Sequence, residues 1–114
     1  MPCLIIKTNQ SLTQQEKTDC CLSASAKTAQ LLGKPESYVM TMLEDQLIIT
    51  MSGTTEPTAY LELKSINLPE DQTKELSSSL CQHISSLLKV DANRIYIEFS
   101  NAQRHLWGWD GGTF

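Results

Sequence analysis

The strongest constraint on how this chain can fold is that it repeats itself. The stretch LLGKPESYVMTML (31–43) is echoed by LLKVDANRIYIEF (87–99), so that Leu31 finds its counterpart 56 residues further on, at Leu87. Ahead of each LL pair the apolar residues recur at helical spacing. They are Cys20, Ala24, Thr28, Leu31 and Leu32 in the first half, and Leu76, Leu80, Ile84, Leu87 and Leu88 in the second. The same shift relates the two sets. Extended to the start of the chain without a gap, it lays LII (4–6) on YLE (60–62) and Pro2 on Thr58.

Local signals bound the elements. Thr13 with Glu16 makes a capping box for the first helix, and Gly33 followed by Pro35 stops it. Pro69, Glu70 and Asp71 give the second helix a first turn of proline and acids. Each half then reads strand–helix–strand, with strands near 3–7, 38–43, 58–64 and 94–99 and helices near 13–32 and 70–88. In each unit the crossover is right-handed and the two strands are parallel. The fold class that follows is α/β: a two-layer sandwich built from a duplicated β-α-β unit, with a four-stranded mixed sheet and both helices on one face. The whole chain, 1–114, forms one domain with pseudo-repeats of about 2–49 and 58–114. The segment 44–53, EDQLIITMSG, is expected to add a short hairpin strand between the halves.

Strand alternation predicts the two sheet faces. Val39, Thr41, Leu43, Ala59, Leu61, Leu63, Ile95, Ile97 and Phe99 are expected to meet the helices. The opposite face is expected to hold Leu4, Ile6, Met40, Met42, Tyr60 and Tyr96, diluted by Glu62 and Glu98. That is too apolar for an open face, so partner subunits are expected to cover it.

Composition excludes several classes of function. A net charge of −4 without a Lys/Arg cluster leaves no electrostatic footprint for nucleic acid or an anionic membrane. No stretch is long and apolar enough to span a bilayer, and LII is too short for the apolar part of a secretory signal. Cys3, Cys20, Cys21 and Cys81 show no C-x-x-C spacing, and with only His83 and His105 beside them there is no zinc set. No metal or other cofactor is expected. Four reduced thiols fit a cytoplasmic location, with leaderless secretion as the other route.

The opening MPCLIIK puts a proline at the first residue of a strand, where it sacrifices no ladder hydrogen bond that matters. A small residue at position 2 also favours removal of the methionine, which would leave Pro2 with a free secondary amine. Taken singly, Lys34 is a partner for a helix C-terminus. Tyr38 and Tyr96 could be interface packing, and Trp107 and Trp109 staples for the tail.

Taken together, MPCLIIKTN (1–9), LLGKPESYV (31–39), EDQL (44–47), GTTEP (53–57), LKSI (63–66), DANRIYIEF (91–99) and GWDGGTF (108–114) resemble the macrophage migration inhibitory factor family of the tautomerase superfamily. The resemblance implies a homotrimer with three active sites at subunit interfaces, and a keto–enol tautomerase acting on phenylpyruvate-type α-keto acids. It gives Pro2 the role of catalytic base and Lys34 that of carboxylate binder. Ser65 and Ile66 match the segment whose backbone lines the site. Tyr38, Trp109 and Phe114 match aromatics of the pocket, and Tyr96 a residue reaching in from the neighbouring subunit.

These residue types suit the chemistry. Moving a proton between carbon and oxygen needs a base whose pKa lies near working pH. An α-amino group titrates near 8, and both burial and a neighbouring cation such as Lys34 disfavour its ammonium form. The proline ring fixes the nitrogen relative to the strand.

Three positions depart from the family pattern. Thr58-Ala59-Tyr60-Leu61 stands where animal members carry C-x-x-C, so a thiol-oxidoreductase activity is not expected. Glu98 stands where many members have Asn, and an ionised Glu only accepts hydrogen bonds, which alters the handling of ring-hydroxylated substrates. Trp107 replaces a smaller residue and narrows the mouth. The competing readings are a cytokine-like binding or signalling protein, whose receptor the sequence does not identify, and an enzyme for a different acid with tautomerisation as a side activity.

Overall fold

The computed structural model describes residues 1–114. In chain order the main elements are β1 (Cys3–Thr8), α1 (Gln14–Leu32), β2 (Met40–Glu44), β3 (Ala59–Ile66), α2 (Thr73–Leu88), β4 (Ile95–Ala102), and a small hairpin of β5 (Gly108–Trp109) and β6 (Gly112–Thr113). The first four strands form one mixed sheet in the order β2-β1-β3-β4. Within each half the strands are parallel, and the halves join through the antiparallel pair β1–β3. This is the expected duplicated β-α-β sandwich.

The helix termini follow their sequence signals. The Thr13 hydroxyl accepts from the Glu16 N–H at 3.1 Å and the Glu16 carboxylate accepts from the Thr13 N–H at 2.9 Å, so the capping box is closed in both directions. At the other end Gly33 takes the left-handed conformation, φ 62°, and the Lys34 N–H returns to the Ala29 carbonyl at 3.0 Å. The second helix begins with a 3-10 turn over 70–72 rather than an α-turn, and ends on Lys89, a non-glycine residue at φ 56°.

The core lies between the sheet and the two helices. Leu76, Leu80, Ile84 and Leu88 of α2, and Cys20 and Ala24 of α1, pack on Ala59, Leu61 and Leu63 of β3 and Ile95 of β4. Leu43, Ile97 and Phe99 join them partly buried, and Thr41 donates to the Cys21 carbonyl of α1 at 3.0 Å. One expected assignment is reversed. Leu4 and Ile6 are fully buried on the helix side, not on the opposite face. The strand pairing gives the reason. Met40 pairs with Cys3 while its repeat counterpart Tyr96 pairs with Tyr60, so β1 maps onto β3 with a shift of one residue more than the rest of the chain. A slip of one residue moves every side chain to the other face. The open face therefore carries Cys3, Ile5, Lys7, Met40, Met42, Tyr60, Glu62, Lys64, Tyr96 and Glu98, and is more polar than expected. The same slip makes Ala59, not Thr58, the counterpart of Pro2.

The segment 44–53 does not form the expected hairpin strand. Beyond Glu44, which ends β2, its sheet-like contact is an isolated bridge between Met51 and Thr54. Gln46 and Leu47 instead donate their N–H groups to the Gln10 and Thr8 carbonyls at the end of β1.

Candidate active site

The start of β1 and the turns following α1 and β3 converge at one end of the sheet. Pro2 is fully buried there, and its carbonyl accepts from the Met40 N–H at 3.0 Å, which ties it to the neighbouring strand. Met1 emerges into a cavity of about 180 Å³ whose other walls are Lys34, Pro35, Tyr38, Ile66, Asn67, Arg104 and Phe114.

Each wall has a local cause. The left-handed cap at Gly33 turns the chain so that Lys34 crosses to the end of β3. There its ammonium donates to the Ser65 hydroxyl at 2.7 Å and to the Ile66 carbonyl. The buried Ser65 hydroxyl in turn donates to the Ile66 carbonyl at 3.0 Å. Asn67, at φ 53°, turns the backbone away from the sheet in the left-handed region that asparagine tolerates. Tyr38 ends a 3-10 turn over Glu36–Tyr38 and meets the tail edge-on, with ring centroids 6.1 Å from both Trp109 and Phe114. Trp109 and Phe114 stack at 5.4 Å, and the Phe114 N–H donates to the Trp107 carbonyl at 3.2 Å, closing the tail over the site. A second hollow of about 250 Å³ lies beside this aromatic cluster and includes Trp107.

The surroundings shift both amines of the site in the same direction. Partial burial and the nearby Arg104 lower the pKa of Lys34. Burial, then Lys34 and Arg104, lower that of the amine on Met1. No acidic side chain lines the cavity.

Of the residues singled out in the sequence, Pro2, Lys34, Ser65, Ile66, Tyr38, Trp109 and Phe114 gather at this end of the fold. Tyr96 and Glu98 do not join them within the chain. They stand on the open face of β4, where Tyr96 pairs with Tyr60 and the Glu98 carboxylate accepts from the Tyr60 hydroxyl at 2.9 Å. That bond is the chief reason the Tyr60 pKa is pushed up to about 12. Arg104 and Asn67 were missed. Both follow the ends of strands (β4 and β3), and no spacing pattern marks them.

The chain matches the family described as Macrophage migration inhibitory factor (MIF) over residues 1–114. It is 32% identical to the macrophage migration inhibitory factor homolog of Trichinella spiralis over 115 residues, covering 100% of each chain. It is 31% identical to the macrophage migration inhibitory factor of Rattus norvegicus, covering 100% of this chain and 99% of that one. The crystal structure of the macrophage migration inhibitory factor homologue from Prochlorococcus marinus superposes with a TM-score of 0.92 at 42% identity, covering 98% of both chains. In sequence and in fold, the chain belongs to the macrophage migration inhibitory factor family.

Proposed function

We propose that this protein is an isomerase that interconverts the keto and enol forms of phenylpyruvate-type α-keto acids, with Pro2 as the general base. One observation carries the reading: Met1 lines the Lys34 cavity while Pro2 is packed and tied to β2 directly behind it. Removing Met1 leaves a secondary amine at the cavity edge, on a ring that cannot swing away. The surroundings that lower the pKa of the Met1 amine, burial first and then Lys34 and Arg104, would act on that amine in the same direction, towards the basic form that the proposed proton transfer needs. The substrate carboxylate is drawn to the cationic side of the cavity, and the ring of the substrate packs against Tyr38 and Phe114. Developing charge on the enolate oxygen is stabilised by the same cations, an effect worth a few kcal/mol in a site of this kind.

The active assembly in this reading is a homotrimer in the cytoplasm. Met40, Met42 and Tyr96 are exposed on the open sheet face, and a neighbouring subunit seated there would cover them and bring its Tyr96 and Glu98 towards the cavity. The test is mass analysis of the N-terminus combined with a phenylpyruvate enol–keto assay on the same preparation. Protein starting at Pro2 should accelerate the conversion, and Pro2→Gly should lose roughly a hundredfold or more of the rate. Full activity in Pro2→Gly, or in protein retaining Met1, refutes the assignment.

A further inference from the structure

Resting on this tautomerase reading, we propose that Arg104 is a second substrate-binding residue, and that it rather than Lys34 makes the principal contact with the substrate carboxylate. Two observations carry this. First, Lys34 is largely occupied. Its ammonium already donates to the Ser65 hydroxyl and the Ile66 carbonyl, which leaves one of its three N–H groups for a ligand. Second, Arg104 lines the same cavity and has no partner of its own. It makes no side-chain hydrogen bond within the chain, and the two ion pairs of the molecule, Lys17–Asp45 and Lys64–Glu62, lie elsewhere. Its five N–H groups form a planar fork that matches a carboxylate in a two-pronged arrangement, which a lysine cannot provide.

The remaining walls define the ligand class. Tyr38, Ile66, Pro35 and Phe114 supply apolar contact, and the absence of any acidic lining side chain leaves the two cations uncompensated. An arylalkyl acid with its carboxylate at the Arg104 mouth satisfies both. Lys34 then keeps its anchor on β3 and offers its remaining N–H to the same carboxylate or to the adjacent carbonyl oxygen. Arg104 sits in a short 3-10 turn directly after β4 and is exposed, so replacing it removes no packing on which the fold depends.

The experiment compares wild type with Arg104→Gln, Arg104→Lys and Lys34→Gln. Calorimetric titration with 3-phenylpropionate and with its uncharged amide reads binding without turnover. Phenylpyruvate kinetics read KM against kcat. Arg104→Gln should weaken 3-phenylpropionate roughly tenfold or more, the loss expected for a charged hydrogen-bonded pair. It should leave the amide unchanged, and raise KM for phenylpyruvate with little change in kcat. Arg104→Lys should recover part of the loss, because it restores charge but not the fork. The proposal is overturned if Arg104→Gln binds 3-phenylpropionate as wild type does, or if acid-over-amide preference disappears only in Lys34→Gln. Absence of turnover in wild type would strike the tautomerase reading alone, since the binding arm still decides the role of Arg104.

Discussion

Replacing Leu4 and Ile5 in turn tests the register of β1, on which the position of Pro2 depends. The two residues are adjacent and similar in size, yet Leu4 is fully buried in the core while Ile5 is only partly covered on the open face. Leu4→Ala removes three carbons from a site walled by sheet and helices, where collapse is limited. Substitutions of this kind cost about 3 kcal/mol, a large part of the roughly 5–15 kcal/mol that holds a domain of this size together. With a urea dependence of about 2 kcal/mol per molar, the midpoint should fall by about 1.5 M. Ile5 is half-buried on a face that no helix covers, so Ile5→Ala should cost less, about 1–2 kcal/mol within the chain. Its larger effect should fall on the proposed trimer, as dissociation on dilution followed by light scattering. Urea titrations at two protein concentrations separate the two effects. If Ile5→Ala lowers the midpoint as much as Leu4→Ala at both concentrations, or if Leu4→Ala costs less than about 1 kcal/mol, the register of β1 and the burial argument built on it are wrong.

Two further substitutions probe contacts away from the cavity. The Arg94 side chain donates to the Pro57 carbonyl at 2.9 Å and to the Thr58 hydroxyl at 2.8 Å, with longer contacts to Met51 and Glu56, so Arg94→Ala should cost about 2 kcal/mol and raise amide exchange across 51–58; an unchanged exchange pattern there would show that other contacts hold the segment. His83, hydrogen-bonded to Ser23 at 3.0 Å, has its pKa lowered by burial and by Lys27, against the raising effect of Ser23. The unfolded chain then binds more protons, so stability should fall as pH drops through roughly 6.5 and below, and His83→Gln should flatten that slope; parallel pH profiles for the two proteins would contradict it.

Much of this architecture is legible in the sequence because the repeat doubles every signal. Helix spacing and the strand positions each recur, and the shift of 56 holds from α1 and α2 through β2 and β4, although Lys89 rather than a second glycine stands where Gly33 stops α1. The face expected for β1 is wrong because the connection from β1 to α1 is one residue longer than that from β3 to α2, which breaks the shift, and alternation with a period of two has no tolerance for it. The segment 44–53 looks like a strand by composition, since LIIT is β-branched and apolar, but its backbone groups go to Gln10 and Thr8 instead of a ladder. The site is legible in the residues whose types are unusual where they stand, namely Pro2 behind the first methionine and Lys34 after a helix-stopping glycine. Arg104 carries no such mark, because an arginine in a short turn looks like any solvated residue until the fold places it at a cavity.

The duplicated halves also differ in the kind of hollow each forms: the one at Lys34 is walled by Tyr38, Ile66 and Phe114, its counterpart only by polar and charged residues and a proline. The turn Gly33–Tyr38 corresponds to Lys89–Arg94, with left-handed caps at Gly33 and Lys89 and a 3-10 turn following each. In the first half this turn meets the end of β3 at Ser65 and Ile66. For the turn of the second half, the structural equivalents of Ser65 and Ile66 are Thr8 and Asn9 of the first, and both they and Arg94 hydrogen-bond to the segment 51–58. The residues at corresponding places have opposite effects. Lys34 corresponds to Val90, which is fully buried in the core and offers no charge to a ligand. Tyr38 corresponds to Arg94, which draws in the segment 51–58 together with the Asn9 side chain, bonded to Thr55, Glu56 and Thr58. At this end of the pseudo-symmetric sandwich the hollow of about 340 Å³ is lined by Glu56, Pro57, Lys89, Asp91 and Arg94, with no aromatic wall and with acidic side chains facing the basic ones. The other is held open by a lysine that reaches across it to hydrogen-bond. Pro2 lies at the open end, and its counterpart Ala59, in the middle of the chain, can never present a free amine. In the proposed reaction, where the base is the amine of Pro2, the asymmetry follows from the order of the duplicated halves along the chain.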